Sequence, residues 1–211
     1  MLITKIVKSR KEGDSYVVFI DEAPAFQVSD AVLTKFGLLT GKRIDERMVE
    51  EIASAEAFGR AQKIAVNFIS YRPRSSKEIV DKLSHKGFSP ELAQQVVHHL
   101  REINLVNDLE FARMLVRDKL RGKPMGKAMM RRKLLEKGIS FQIIERVLKE
   151  YISEEDEQEA AARLAAKKLK ISRSRFAGLN SAKQQKRLMD YLLSRGFSTE
   201  VALKTVRVMI T

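Results

Sequence analysis

A basic residue, a glycine, a phenylalanine or isoleucine and a serine follow one another three times in this chain. They are Lys86-Gly87-Phe88-Ser89, Lys137-Gly138-Ile139-Ser140 and Arg195-Gly196-Phe197-Ser198. The flanks repeat as well: KLSHKGFSPELAQQVV, KLLEKGISFQIIERVL and YLLSRGFSTEVALKTV. Each glycine ends an amphipathic run and is placed to be the C′ residue of a helix, because glycine enters the left-handed conformation without a Cβ clash. The cation before it meets the negative end of the helix dipole. Ser89, Ser140 and Ser198 then supply an N-cap oxygen for the next helix, and Pro90 fits a first helical position. The motif is therefore a corner between two helices. A unit used three times implies a helical repeat, and repeats of this kind bind more often than they catalyse.

The apolar residues keep register between units. Leu83, Leu134 and Leu192 correspond, as do Ile79, Met130 and Leu188. In the helix after the corner, Leu92, Ile143 and Val201 correspond, and so do Val97, Leu148 and Val206. Their spacing places them on core-facing stripes. A further helix precedes each pair: Arg60 to Ile69, Phe111 to Leu120 and Ala160 to Leu169. Each unit thus reads as helix a, a linker, helix b, the glycine corner and helix c. Capping pairs are expected at Ser75 with Glu78, Asn107 with Glu110 and Ser153 with Asp156. The corner glycines are 51 and then 58 residues apart, and the extra length falls in the linker ISRSRFAGLNS.

Residues 1–50 have a different texture. LITKIVKS and SYVVFID read as strands joined by a turn at RKEGD, and Ala25 to Val28 as a third strand. Ser29 and Asp45 are expected to cap short helices. The fold class is mainly α, with tandem three-helix repeats and a small N-terminal αβ module containing a β-hairpin. The expected divisions are 1–50 for that module, then 51–106, 107–152 and 153–211 for the three repeats.

The chain has 211 residues, no cysteine and a net charge of +13. No apolar run approaches a membrane span and no signal-peptide pattern opens the sequence, so a soluble, cytoplasmic protein is expected. The four segments carry basic excesses of zero, +2, +6 and +5, and between Ala160 and Met189 there are nine basic residues and no acidic one. A positive field over the second half points to an anionic partner, nucleic acid or a nucleoprotein.

Catalytic readings fare poorly. Gly37 to Arg43 is one residue short of a phosphate-binding loop, and Arg43 stands where Ser or Thr would hold magnesium. A helix-ending turn explains it better. His98 and Glu102 are one turn apart but have no third ligand nearby in sequence, and His85 with Asp81 reads as a surface pair. No catalytic residue, metal site or cofactor is expected. Basic residues instead recur in the linkers between helices a and b: Arg72 and Arg74, then Arg121 and Lys123, then Lys170, Arg173 and Arg175. Lys127, Arg131 and Arg132 extend the second set along helix b, and Lys167 and Lys168 precede the third. These twelve are the expected anion-binding residues, although Arg72 or Arg74 has an alternative role in bracing a helix end.

The segments RPRSSKEIVDKLSHKGF, LVNDLEFARMLV and GKPMGKAMMRRKLLEKGI resemble the RecX family, the bacterial regulatory proteins of the RecA recombinase. The resemblance covers about residues 58–211, with Asn107 where the family usually has Asp. It implies an elongated, curved array of three-helix units that acts without catalysis as a monomer. Such a protein docks in the groove of a RecA filament on single-stranded DNA, mainly inhibiting ATP turnover, strand exchange and co-protease activity. Duplex DNA is an additional partner. The alternative is a DNA-binding factor with sequence preference, using one helix pair as a helix-turn-helix.

Overall fold

The structure is a computed structural model that describes residues 1–9, 15–122, 124–172, 174, 176 and 178–210. The turn expected at RKEGD lies outside the described residues. Three antiparallel strands, β1 (Ile3–Lys8), β2 (Ser15–Ile20) and β3 (Ala23–Ser29), form a sheet in sequence order. The β2–β3 turn places Asp21 and Glu22 at φ +47° and +71°. The β1 end steadies this non-glycine turn: the Leu2 N–H donates to Asp21 Oδ1, and the Glu22 N–H donates to Thr4 Oγ1. Helix α1 (Asp30–Lys35) is capped by Ser29, and α2 (Glu46–Ser70) by Asp45. Ile3, Val18, Val28, Val32, Leu38, Ile44 and Ile52 make the core of this part. The helix capped by Asp45 and helix a of the first repeat are one 25-residue helix, unbroken at Gly59.

Eight further helices among the described residues complete the repeats. The first repeat has α3 (Ser76–Ser84) and α4 (Pro90–Glu102) after α2. The second has α5 (Asp108–Arg121), α6 (Lys127–Glu136) and α7 (Phe141–Tyr151), and the third has α8 (Glu154–Ile171), α9 (Ser181–Ser194) and α10 (Thr199–Met209). Gly87, Gly138 and Gly196 sit at φ +85°, +73° and +82°, as the corner requires. Ser89, Ser140 and Ser198 each accept the expected N-terminal amide. Ser75 with Glu78 and Ser153 with Asp156 form reciprocal capping boxes. Asn107 accepts from Leu109 and Glu110 through its own side chain.

Ile79, Leu83, Met130, Leu134, Leu188 and Leu192 are fully buried, and each of the last two repeats has its own apolar cluster. One expectation needs correction. Leu92, Ile143 and Val201 are only half-buried, and the next residues, Ala93, Ile144 and Ala202, are fully buried. The true stripe of helix c therefore leads one position later, with Val97, Leu148 and Val206 on it as expected.

The chain divides into two compact units: Met1–Tyr71 with Lys82–His99, and Arg72–Asp81 with Leu100 onward. Within the second unit the repeats are joined at the start of each helix b. The N-cap amide and the first two amides of α6 all donate to the third repeat. Gly126 N–H reaches Arg195 O at 3.0 Å, Lys127 N–H reaches Glu157 Oε1 at 2.9 Å, and Ala128 N–H reaches Gly196 O at 3.0 Å. Orphan N-terminal amides of a helix are normally capped locally; here the N-cap is Gly126 and the acceptors come from the next repeat. The start of α3 is treated alike: Ser76 N–H donates to Asp108 Oδ1 at 2.8 Å, and Arg101 clamps the pair through Ser76 Oγ and Asp108 Oδ2. Asp108 and Glu157 occupy the same position in successive units, three residues before Phe111 and Ala160.

The corner glycines take part in the same junctions. A Cβ on Gly138 would lie 2.5 Å from Lys77 Cβ, and one on Gly196 would lie 2.3 Å from the Met129 nitrogen. At Gly87, which no earlier repeat faces, a Cβ meets nothing within 4 Å.

Candidate functional site

Nine of the twelve expected cations lie among the described residues, and these fall into three groups. The first group is braced. Arg72 donates to both carboxylate oxygens of Glu78, one at 3.0 Å, and to Pro73 O. Lys137, from the next corner, reaches Glu78 Oε1 at 2.7 Å. Burial alone would raise the Glu78 carboxyl. The hydrogen bonds from Arg72 and Lys137 outweigh it and hold the group at about 2. Arg74 is half-buried, and burial together with the Arg72 charge lowers its guanidinium below the usual value. Arg72 thus takes the helix-bracing role.

In the second group each cation faces a carboxylate. Lys127 Nζ lies 3.6 Å from the buried Glu157. Arg131 makes a two-point contact with Glu145 at 2.6 and 3.0 Å, which raises the guanidinium and lowers the carboxyl from their ordinary values. Arg132 pairs with Glu136 at 3.4 Å on an exposed surface. Such pairs spend part of the positive field inside the protein.

The third group keeps its charge outward. Arg121, Lys167 and Lys170 are exposed. Lys168 is half-buried with its ammonium 4.8 Å from the centre of the Tyr191 ring. Lys123, Arg173 and Arg175 lie outside the described residues.

Sequence reasoning missed three things here. Glu78, Asp108 and Glu157 act as acceptors at the repeat junctions, and only the alignment of Asp108 with Glu157 hinted at them. The exposed basic row Lys183, Lys186 and Arg187 on α9 lies outside the linkers to which the repeat pattern points. No spacing rule marks Tyr191, and Arg195 reads from sequence as a helix-end cation, although it lies 5.3 Å from the Tyr191 ring centre.

The loop from Gly37 to Arg43 holds a helix end. Lys42 Nζ donates to the carbonyls of Phe36 and Gly37, which close α1. His99 packs edge-on against Phe58 at 5.7 Å. Among the described residues no group of three or more histidines or carboxylates is placed to hold a metal ion. Among the described residues no helix is long and apolar enough to cross a membrane.

Models of the three RecX three-helix domains match this chain at residues 61–100, 107–148 and 154–206. Regulatory protein RecX of Listeria welshimeri is 35% identical over 202 residues, which are 96% of this chain and 73% of that protein. The protein of that name from Lactobacillus delbrueckii subsp. bulgaricus is 31% identical over 201 residues, 95% of this chain and 72% of its own. A crystal structure of regulatory protein RecX superposes with a TM-score of 0.81 at 26% identity, covering 98% of both chains. RecX from Lactobacillus salivarius shares the fold, with a TM-score of 0.65 over 74% of this chain and 97% of that one. With all three repeat models matched in order, and relatives aligned over nearly its whole length, the chain belongs to the RecX family of regulatory proteins.

Proposed function

We propose that this chain regulates the RecA recombinase, mainly as an inhibitor, by binding the groove of the RecA filament on single-stranded DNA. It acts as a cytoplasmic monomer, by binding and not by catalysis, and modulates ATP turnover, strand exchange and co-protease activity. Family membership supports the partner. The observation that carries the surface is the segregation of charge. Lys127, Arg131 and Arg132 on helix b of the second repeat each face a carboxylate, whereas the third repeat presents exposed Lys167, Lys170, Lys183 and Lys186 over a 30-residue stretch without an acid. A filament groove offers both phosphates and acidic protein, and such a face complements either. We further propose that the divisions 1–50, 51–106, 107–152 and 153–211 are functional modules, with α2 serving both the first and the second.

The test is a titration of the DNA-dependent ATPase of RecA. Inhibition at far less than one copy per DNA-bound RecA indicates blocked filament ends, and inhibition only near one copy per RecA contact indicates groove coating. A Lys167→Glu/Lys170→Glu variant should be weakened at least tenfold, because like charges then face the groove. A wild-type protein that leaves the ATPase untouched and instead prefers one duplex sequence at physiological salt would replace this reading with that of a DNA-binding factor.

A further inference from the structure

Between α8 and α9 lies a cleft of about 250 Å³ lined by Lys168, Ser172, Phe176, Arg187 and Tyr191. None of these residues is acidic. Tyr191 holds Lys168 on its ring at 4.8 Å and Arg195 at 5.3 Å. A neutral ring fixes a cation by its quadrupole and leaves the charge uncancelled. The contrast with Lys127, Arg131 and Arg132 is physical: those cations are positioned by carboxylates, which offset the field they project. Tyr191 therefore fixes Lys168 in a cleft that also presents Arg187 and the Ser172 hydroxyl, without reducing the attraction of the ammonium for an anion.

We propose that this cleft seats a phosphodiester of a single-stranded nucleic acid, with Lys168 and Arg187 of its lining as the phosphate contacts and Tyr191 as the positioning residue of Lys168. The ligand chemistry is the phosphate backbone, which single strands and duplexes share. The cleft favours the single strand, whose flexible backbone can bend a phosphate into a recess that a rigid duplex bridges over. This inference rests on the anionic partner proposed above, and it deepens that reading by assigning the contacts to the third repeat.

The experiment uses the full chain and labelled oligothymidylate, without recombinase, with fluorescence anisotropy read over a series of salt concentrations. Lys168→Gln/Arg187→Gln should lower the slope of log affinity against log salt by about 1.4, at about 0.7 for each lost contact to a single strand. Tyr191→Leu should weaken binding roughly threefold, and Tyr191→Phe, which keeps the ring, should bind as wild type does. Arg47→Gln, in the N-terminal unit and paired with Glu51, should leave the slope unchanged. Far-UV circular dichroism of each variant verifies that the helices are intact. An unchanged slope in the double variant overturns the proposal. So does tighter binding of a duplex of equal length, or equally strong competition by polyglutamate, which would mark an acidic-protein site. The recombinase ATPase is measured separately on wild type, so failure of the regulatory reading is distinguishable from failure of this one.

Discussion

Glu78 shows how much one side chain does in this molecule. It closes the capping box at the start of α3, accepts Arg72 from the preceding linker, and accepts Lys137 from a corner 59 residues away. Its carboxyl is held at about 2, against an ordinary value of 4.5. The unfolded chain therefore binds a proton more readily than the folded one, and stability rises with pH across that interval. The contribution is complete above about pH 4.5 and is lost as pH falls through about 2. Glu78→Gln keeps the shape and removes the charge. It should lower stability by about 2 kcal/mol at pH 7, and the difference from wild type should shrink steadily as pH drops from 4.5 to 2. Urea unfolding at pH 7, 4 and 2.5 measures this, and a gap that stays constant with pH would refute the assignment.

At the scale of elements, the glycine corner has two jobs that substitution can separate. Gly87 has φ +85° and open space around it, so Gly87→Ala should cost only the left-handed penalty, about 1 kcal/mol. Gly126 has φ −78°, which any residue adopts, but a Cβ there would lie 2.1 Å from Gly196 O. Gly126→Ala should therefore cost about 3 kcal/mol from crowding alone. Gly196→Ala incurs both penalties and should be the most damaging of the three. Thermal melts of the three variants give the order, and an order led by Gly87→Ala would reject the close-approach argument. This also marks the limit of what was legible in the sequence. The corners, Ser29, Asp45 and the capping boxes are local: a cap acts across about three residues, so adjacent letters reveal it. The acceptors for α6 lie at Glu157, Arg195 and Gly196, and no spacing rule reaches so far. The same limit governed the binding surface. Clusters of basic letters were visible, but whether a carboxylate or a ring held each one depended on tertiary neighbours such as Glu145 and Tyr191.

For the molecule as a whole, the junctions set what can fold without what. Stability of a repeat protein combines the stability of each unit with a coupling between neighbours. Here the coupling is concrete: Gly126, Lys127 and Ala128 find their acceptors only in the third repeat. A chain ended after Ile152 leaves those three amides without partners and opens the buried surface beneath Gly126. Its α6 should then fray, although every residue of the second repeat's own apolar cluster is still present. Amide hydrogen exchange reads this directly, because protection reports the free energy of local opening. In the full chain the amide of Met130, bonded to Gly126 O, should exchange with the slow core. In the shortened chain it should exchange at least a hundredfold faster, while Glu157→Ala in the full chain, which removes one acceptor of three, should produce an intermediate acceleration confined to the first turn of α6. Met130 protection that survives the truncation would mean the second repeat is self-sufficient and the junction only a contact.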